Sequence, residues 1–223
     1  MNYFQKLFYF TFVYEKRYLI FLRGFYTTLL LSIASFICGT LFGILLCAMK
    51  RSNNKILIKI ADVMIALLIN IPTMVLLLVF VYVIFGSISA PLAIIVILAL
   101  TMKTGSYICE IINTALDAVD PGEIEAARTL GMTSRQTFIY ITMPHVISTG
   151  LELYKNQFIL NMQETAVVGY VALVDLTRAS SIVGARTMDS LLALLAISVI
   201  YFVIGIAFKK LFNLMRIEKH IGV

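Results

Sequence analysis

Charged and amide side chains interrupt two apolar stretches of this 223-residue chain, and these residues have the means to do chemistry. Lys103 and Glu110 lie seven positions apart, which places them on one helical face two turns apart. Further along, Glu152, Lys155, Asn156, Gln157, Asn161, Gln163 and Glu164 crowd one segment, with Asn156, Gln157, Asn161 and Glu164 along one face. A charge at the centre of a bilayer costs about 2.5–3.5 kcal/mol, so each such group needs a partner, a ligand or water. The available chemistry is recognition of charged groups in a wet cavity between helices. Lys103 could hold a bound carboxylate or pair with an acid of the chain itself. Glu164 could receive an ammonium, neutralise Lys103, or meet water near the end of a span.

Catalysis fits poorly. The sequence has no G-x-x-x-x-G-K-[ST] phosphate loop, so the chain is not expected to be an ATPase. Its three cysteines, Cys38, Cys47 and Cys109, lack C-x-x-C spacing, and its two histidines, His145 and His220, are far apart. Neither set suggests a disulfide framework or a metal site. A membrane-embedded enzyme would want a nucleophile–base or paired-carboxylate constellation, and Lys103 with Glu164 is the nearest approach to one.

The only extended polar region is 116–137. Asp120-Pro121-Gly122-Glu123 reads as a helix start, with Asp as N-cap, Pro in the first turn and Glu three residues on. That helix is predicted over 121–130, ending at Gly131. Thr133-Ser134-Arg135-Gln136 is a second capping box, opening a helix that enters the membrane at Pro144.

The elements that must position these residues are membrane spans. Apolar residues make up 61% of the chain and charged ones 13%, against roughly 25% charged in soluble domains, so lipid must solvate much of it. The composition predicts an all-α integral membrane protein of one domain, 1–223, with about five spans: 25–49, 58–85, 90–114, 138–165 and 190–208. An aromatic and basic segment, 1–24, is predicted to be an interfacial helix. The first apolar run is too long for a signal-peptide core and no cleavage-like motif comes after it. Pro72 should kink the second span. Gly39 and Gly43 form a G-x-x-x-G pair that either allows close helix approach or arises by chance. The net charge of +6 resides at the ends of apolar runs, which sets orientation and does not indicate nucleic acid. Loops 50–59, 116–137 and 209–223 hold ten Lys and Arg, the opposite set (1–24 and 173–189) six. That bias places the 116–137 loop and the C-terminus in the cytoplasm and the N-terminus outside.

Glu125-Ala126-Ala127, then Gly131 after three residues, then Ile141 and Met143-Pro144, reproduces a known pattern. It resembles the EAA loop of ABC importer permeases, with Met143 where that family usually has Leu. The likeness extends over nearly the whole chain to the polar amino-acid branch (histidine, glutamine or arginine type). Phe21-Leu22, Gly24, Gly105 through Glu110, Asn156-Gln157-Phe158 and Asp175-Leu176-Thr177-Arg178 carry it further. The resemblance implies a type I importer permease fold in the bacterial inner membrane, with the loop 120–136 as a cytoplasmic coupling helix. That helix would dock into a separate ATPase dimer through Glu123, Glu125, Ala126, Ala127 and Gly131. ATP and Mg would lie on the ATPase, with no cofactor in this chain. A second permease subunit, the same or a homologous chain, and an extracytoplasmic substrate-binding protein complete the implied assembly. Asn70, Pro72, Lys103, Asn156, Gln157, Asn161 and Glu164 would line the substrate pathway. Asp175, Arg178 and Arg186 would receive the binding protein, or lie in a merely solvated loop.

Several positions depart from the family pattern. Asn70-Ile71-Pro72-Thr73 stands where Arg-Gly-Thr-Pro is typical, Lys103 where Asn is commoner, and Gln163-Glu164-Thr165-Ala166 where Lys-Asp-Thr-Ser is frequent. These departures permit one unequal half of a heterodimer. An ATP-independent secondary transporter or channel would explain the spans and the intramembrane charges, but leaves the EAA loop without a purpose.

Overall fold

The computed structural model describes residues 3–214, which form helices joined by short turns. Arg216, Lys219 and His220 lie outside the described residues. The N-terminal segment is α1 (Tyr3–Phe8), a wide π-type stretch Tyr9–Val13 and a tight turn Tyr14–Lys16. Glu15 and Lys16 take left-handed backbone there, at φ 53° and 54°, which breaks the segment from the first long helix. Phe8, Tyr9 and Phe10 are exposed, as suits aromatics at a membrane interface.

That long helix, α2 (Tyr18–Lys50), starts seven residues before the predicted span. The apolar periodicity runs on through Phe21, which is buried, and Arg23 falls on the exposed side. After a turn capped by Asn54, whose side chain accepts from the Ile56 N–H, comes α3 (Lys55–Asn70). Next, α4 (Thr73–Leu78) continues as the wide turn Val79–Ile84. At Pro72 the helix is interrupted more sharply than by a simple kink. The proline forces Ile71 into extended backbone, ψ 127°, and the helices on either side meet at 110°.

Pro91 opens α5 (Leu92–Asp117), and α6 (Pro121–Thr129) and α7 (Ser134–Thr137) form the polar loop. A wide turn, Phe138–Thr142, precedes α8 (Met143–Glu164) and lets the helix absorb Pro144, which has no N–H to give. The tighter turn Thr165–Val171 ends at Ala172, left-handed at φ 65°. The stretch 173–189, predicted as a polar loop, is largely helix α9 (Leu176–Thr187). Its polarity hides a buried face of small and apolar residues, Leu176, Ala179, Ser180, Val183 and Gly184, at helical spacing. The last helix is α10 (Leu191–Leu214). Among the described residues, helices α2, α5 and α10 are long and apolar enough to cross a membrane alone; with two bent helix pairs counted as spans there are up to five.

The chain packs as two compact units, 1–30 with 162–223, and 31–161, each division falling inside a continuous helix. In the first, Phe21, Leu176, Ala179, Val183, Ala193 and Ile197 form the core. Gly24 permits α2 to meet α9, since a Cβ there would lie 2.7 Å from the Asp175 carbonyl oxygen. In the second, Leu46, Cys47, Ala61, Ile65 and Cys109 form one cluster. The Gly39–Gly43 pair seats α2 against α5: Cβ atoms there would approach Thr104 at 3.0 Å and the Gly105 carbonyl oxygen at 2.7 Å.

Candidate coupling loop and polar residues of the spans

The polar loop is built by local hydrogen bonding. Asp120 Oδ1 accepts from the Gly122 N–H at 2.8 Å, Pro121 takes the first helical position, and Glu123 lies in the first turn near the positive end of the dipole. At the other end the Met132 N–H donates to the Ala127 carbonyl at 3.1 Å and the Gly131 N–H to the Arg128 carbonyl at 3.0 Å. These two bonds are the Schellman arrangement, with Gly131 left-handed at φ 87°. Nothing lies within 4 Å of a Cβ built on Gly131, so glycine is required there by backbone conformation and not by space.

The next helix opens with the predicted capping box. The Thr133 N–H donates to Gln136 Oε1 at 2.8 Å, and the Gln136 N–H to Thr133 Oγ1 at 3.3 Å. Of the coupling residues, Glu123, Glu125 and Ala126 are exposed, whereas Ala127 is buried. Leu130, 84% exposed, is an apolar side chain held in solvent at the end of α6. Sequence reasoning passed over it, and its signal was a large apolar residue directly before a terminating glycine.

The pathway residues separate into two sets. Asn70 and Pro72 are exposed at the break between α3 and α4, and Asn156 is exposed on α8. Asn161 and Gln157 are buried. Asn161 Oδ1 accepts from Thr104 Oγ1 at 2.7 Å and from Ser35 Oγ at 3.2 Å, and its Nδ2 donates to the Ser32 carbonyl at 2.9 Å. One amide thus ties together α2, α5 and α8. Lys103 is also buried, and its Nζ donates to the Ile71 carbonyl at 2.6 Å. That places a cation at the C-terminus of α3, where the helix dipole favours one, beside the turn Pro72 creates. Lys155 is buried, with Nζ 3.0 Å from Glu152 Oε1. Glu164 is half-buried in the last turn of α8.

Glu110 does not act with Lys103. Its Oε1 lies 2.7 Å from Lys50 Nζ, which also lies 3.5 Å from Asp62 Oδ1. Next to it, the Arg51 guanidinium donates to Asn113 Oδ1 at 3.0 Å and pairs with Asp117. This ion-pair lattice joins the end of α2 to α3 and to the last turns of α5, which three residues separate from the coupling helix.

The expected docking residues also divide. Asp175 is fully buried, because its carboxylate caps α9, accepting from the Arg178 N–H at 2.9 Å and the Thr177 N–H at 3.0 Å. It offers no surface to a partner. Arg178 and Arg186 remain exposed.

Residues 39–215 match the model of the family described as binding-protein-dependent transport system inner membrane component, and the chain belongs to that family. It is similar to the probable glutamine ABC transporter permease protein GlnP of Bacillus subtilis, 28% identical over 79% of this chain and 82% of that protein. The glutamate/aspartate import permease protein GltK of Escherichia coli is 26% identical over 87% of this chain and 91% of the relative. Among solved structures, a crystal structure of an amino acid ABC transporter with histidines superposes with a TM-score of 0.83 at 30% identity, covering 96% of this chain and 97% of that one. An inward-facing methionine transporter, MetNI, shares the fold at a TM-score of 0.66 and 22% identity, covering 87% and 95%. The chain is thus an all-α permease component of a bacterial inner-membrane ABC importer, the family whose members work with ATPase subunits and a binding protein.

Proposed function

We propose that this chain carries a polar amino acid into the cytoplasm, with α6 as the lever through which a separate ATPase dimer drives the membrane pathway. The observation that carries the reading is the coupling loop. Its helix is capped at both ends, so it is rigid, and it presents Glu123, Glu125, Ala126 and Leu130 to solvent for a partner. The amino-acid substrate is supported by the relatives, whose names specify glutamine and glutamate or aspartate transport.

In this reading the 116–137 loop lies in the cytoplasm and the N-terminus outside, as the Lys and Arg distribution favours. The working unit pairs two permease subunits, the same or homologous chains. Arg178, exposed on α9, meets the extracytoplasmic binding protein. ATP and Mg reside on the ATPase, and this chain holds no cofactor. Asn70, Pro72 and Asn156, all exposed, are the pathway residues of α3, α4 and α8. Separately, Glu164 is assigned to a substrate ammonium.

The test is coupling. Gly131→Val strains the left-handed turn by about 1–2 kcal/mol and re-aims α6, and Glu125→Arg inverts an exposed charge on its docking face. Each is expected to leave the chain inserted and ATP hydrolysis measurable, while uptake per ATP falls several-fold in reconstituted vesicles. Normal uptake ratios in both variants would remove α6 from the coupling path. Transport that persists without any ATPase would instead favour a secondary transporter.

A further inference from the structure

A groove of ≈ 660 Å³ runs along the first turns of α2 beside α9, lined by Leu19, Leu22, Arg23, Tyr26, Ile182 and Arg186 among others. Its floor is apolar, and no acidic residue lines it. Two guanidiniums, Arg23 and Arg186, border it, and neither carries a hydrogen bond or ion pair among the described residues. Arg23 stands on a helix long and apolar enough to span a membrane, where Leu22 and Tyr26 are well exposed.

We propose that this groove binds an anionic phospholipid, with its phosphate between Arg23 and Arg186 and an acyl chain along Leu19, Leu22, Tyr26 and Ile182. An unpaired guanidinium beside hydrocarbon is costly unless an anion meets it. Arginine's planar fork matches phosphate oxygens, while its stem packs on apolar surface. A lipid supplies both halves of this complement at once: a negative headgroup and a chain for the floor. A second copy of the chain set symmetrically over the groove would bring its own Arg23 and Arg186 against these two, so like charges disfavour that occupant. A soluble partner would have to cover membrane-level apolar side chains of α2. The inference goes beyond the transport reading and rests only on the chain's residence in a membrane.

The complete transporter is to be reconstituted in nanodiscs of phosphatidylcholine mixed with phosphatidylglycerol, then released into mild detergent and its retained lipids measured by native mass spectrometry. The wild type is expected to retain phosphatidylglycerol preferentially. Each basic residue contributes about fivefold in such lipid selectivity, so Arg23→Gln should lower the preference by about that factor and the double variant with Arg186→Gln should abolish it. Arg23→Lys, which keeps the charge, should retain most of it. Equal retention of both lipids by the wild type, or an unchanged preference in the double variant, overturns the proposal. So does a double variant whose lipid preference is intact but whose stimulation by the binding protein is lost, which would give this face to the binding protein. Cross-linking of Arg23→Cys to the second permease would give it to the subunit interface. Lipid retention is read without transport, so failure here leaves the importer reading untouched.

Discussion

Asn161 shows how a polar residue at membrane depth can belong to the scaffold. Its amide is spent on Ser32, Ser35 and Thr104, partners as far as 129 positions away in the chain. Asn161→Leu should therefore lower the thermal stability of the purified permease, by about 1–2 kcal/mol for the interhelical bonds lost. The substrate KM should stay where it was. A changed KM at unchanged stability would return Asn161 to the pathway. Lys103 calls for the complementary experiment. If its bond to the Ile71 carbonyl positions the α3–α4 break, Lys103→Met should slow transport without altering substrate affinity, and Lys103→Arg should recover part of the rate. A raised KM in Lys103→Met would mean that the ammonium meets substrate instead. The sequence showed that both residues needed a partner, a ligand or water, because their place in an apolar run is visible locally. It did not show which partners, because those come from distant helices.

At the level of elements, the glycines of the helix crossing make a sharp contrast. Gly43 of α2 faces the Gly105 carbonyl so closely that a Cβ would sit at 2.7 Å, whereas a Cβ on Gly205 of α10 meets nothing within 4 Å. Gly43→Ala should force α2 and α5 apart and lower the melting temperature. Gly205→Ala should leave it unchanged or raise it slightly, since alanine favours a helix interior by about 0.8–1.0 kcal/mol. Equal effects would mean that the crossing is looser than the structure has it. The same contrast separates what was legible from what was not. The coupling loop could be read from its residues because each capping bond of Asp120, Thr133 and Gln136 reaches at most three positions. The start of α2, the sharpness of the break at Pro72 and the helix α9 could not. Phe21 is helical because a core of α9 and α10 residues receives it, and the buried face of α9 consists of small residues with little hydropathy of their own. Asp175 misled for a related reason: an acid in a polar stretch looks exposed until the helix that it caps is known.

For the molecule as a machine, the question is how a push on α6 reaches the helices, and within residues 31–161 the charges that link α2, α3 and α5 supply a route. Asp117 is the last residue of α5 and lies three residues before Asp120, the cap of α6, so whatever displaces α6 displaces Asp117 first. Arg51 pairs with Asp117, and its neighbour Lys50 bridges Glu110 of α5 to Asp62 of α3. Lys103 of α5 then holds the far end of α3 at Ile71. These are partly exposed pairs, each contributing about 0–1 kcal/mol to stability, so their removal should scarcely affect folding. Their effect should fall on coupling, because together they make α2, α3 and α5 move as one. Asp117→Arg is expected to leave ATP hydrolysis near its normal rate while uptake per ATP drops, since two like charges now repel where the lattice was tied. The exchange Arg51→Asp with Asp117→Arg restores the attraction with its polarity reversed, and should recover much of the lost uptake. Measured in vesicles with the full transporter, recovery in the exchange identifies the pair as a mechanical link. If Asp117→Arg couples normally, the lattice is an ordinary set of surface ion pairs and α6 must act on the spans through its apolar contacts.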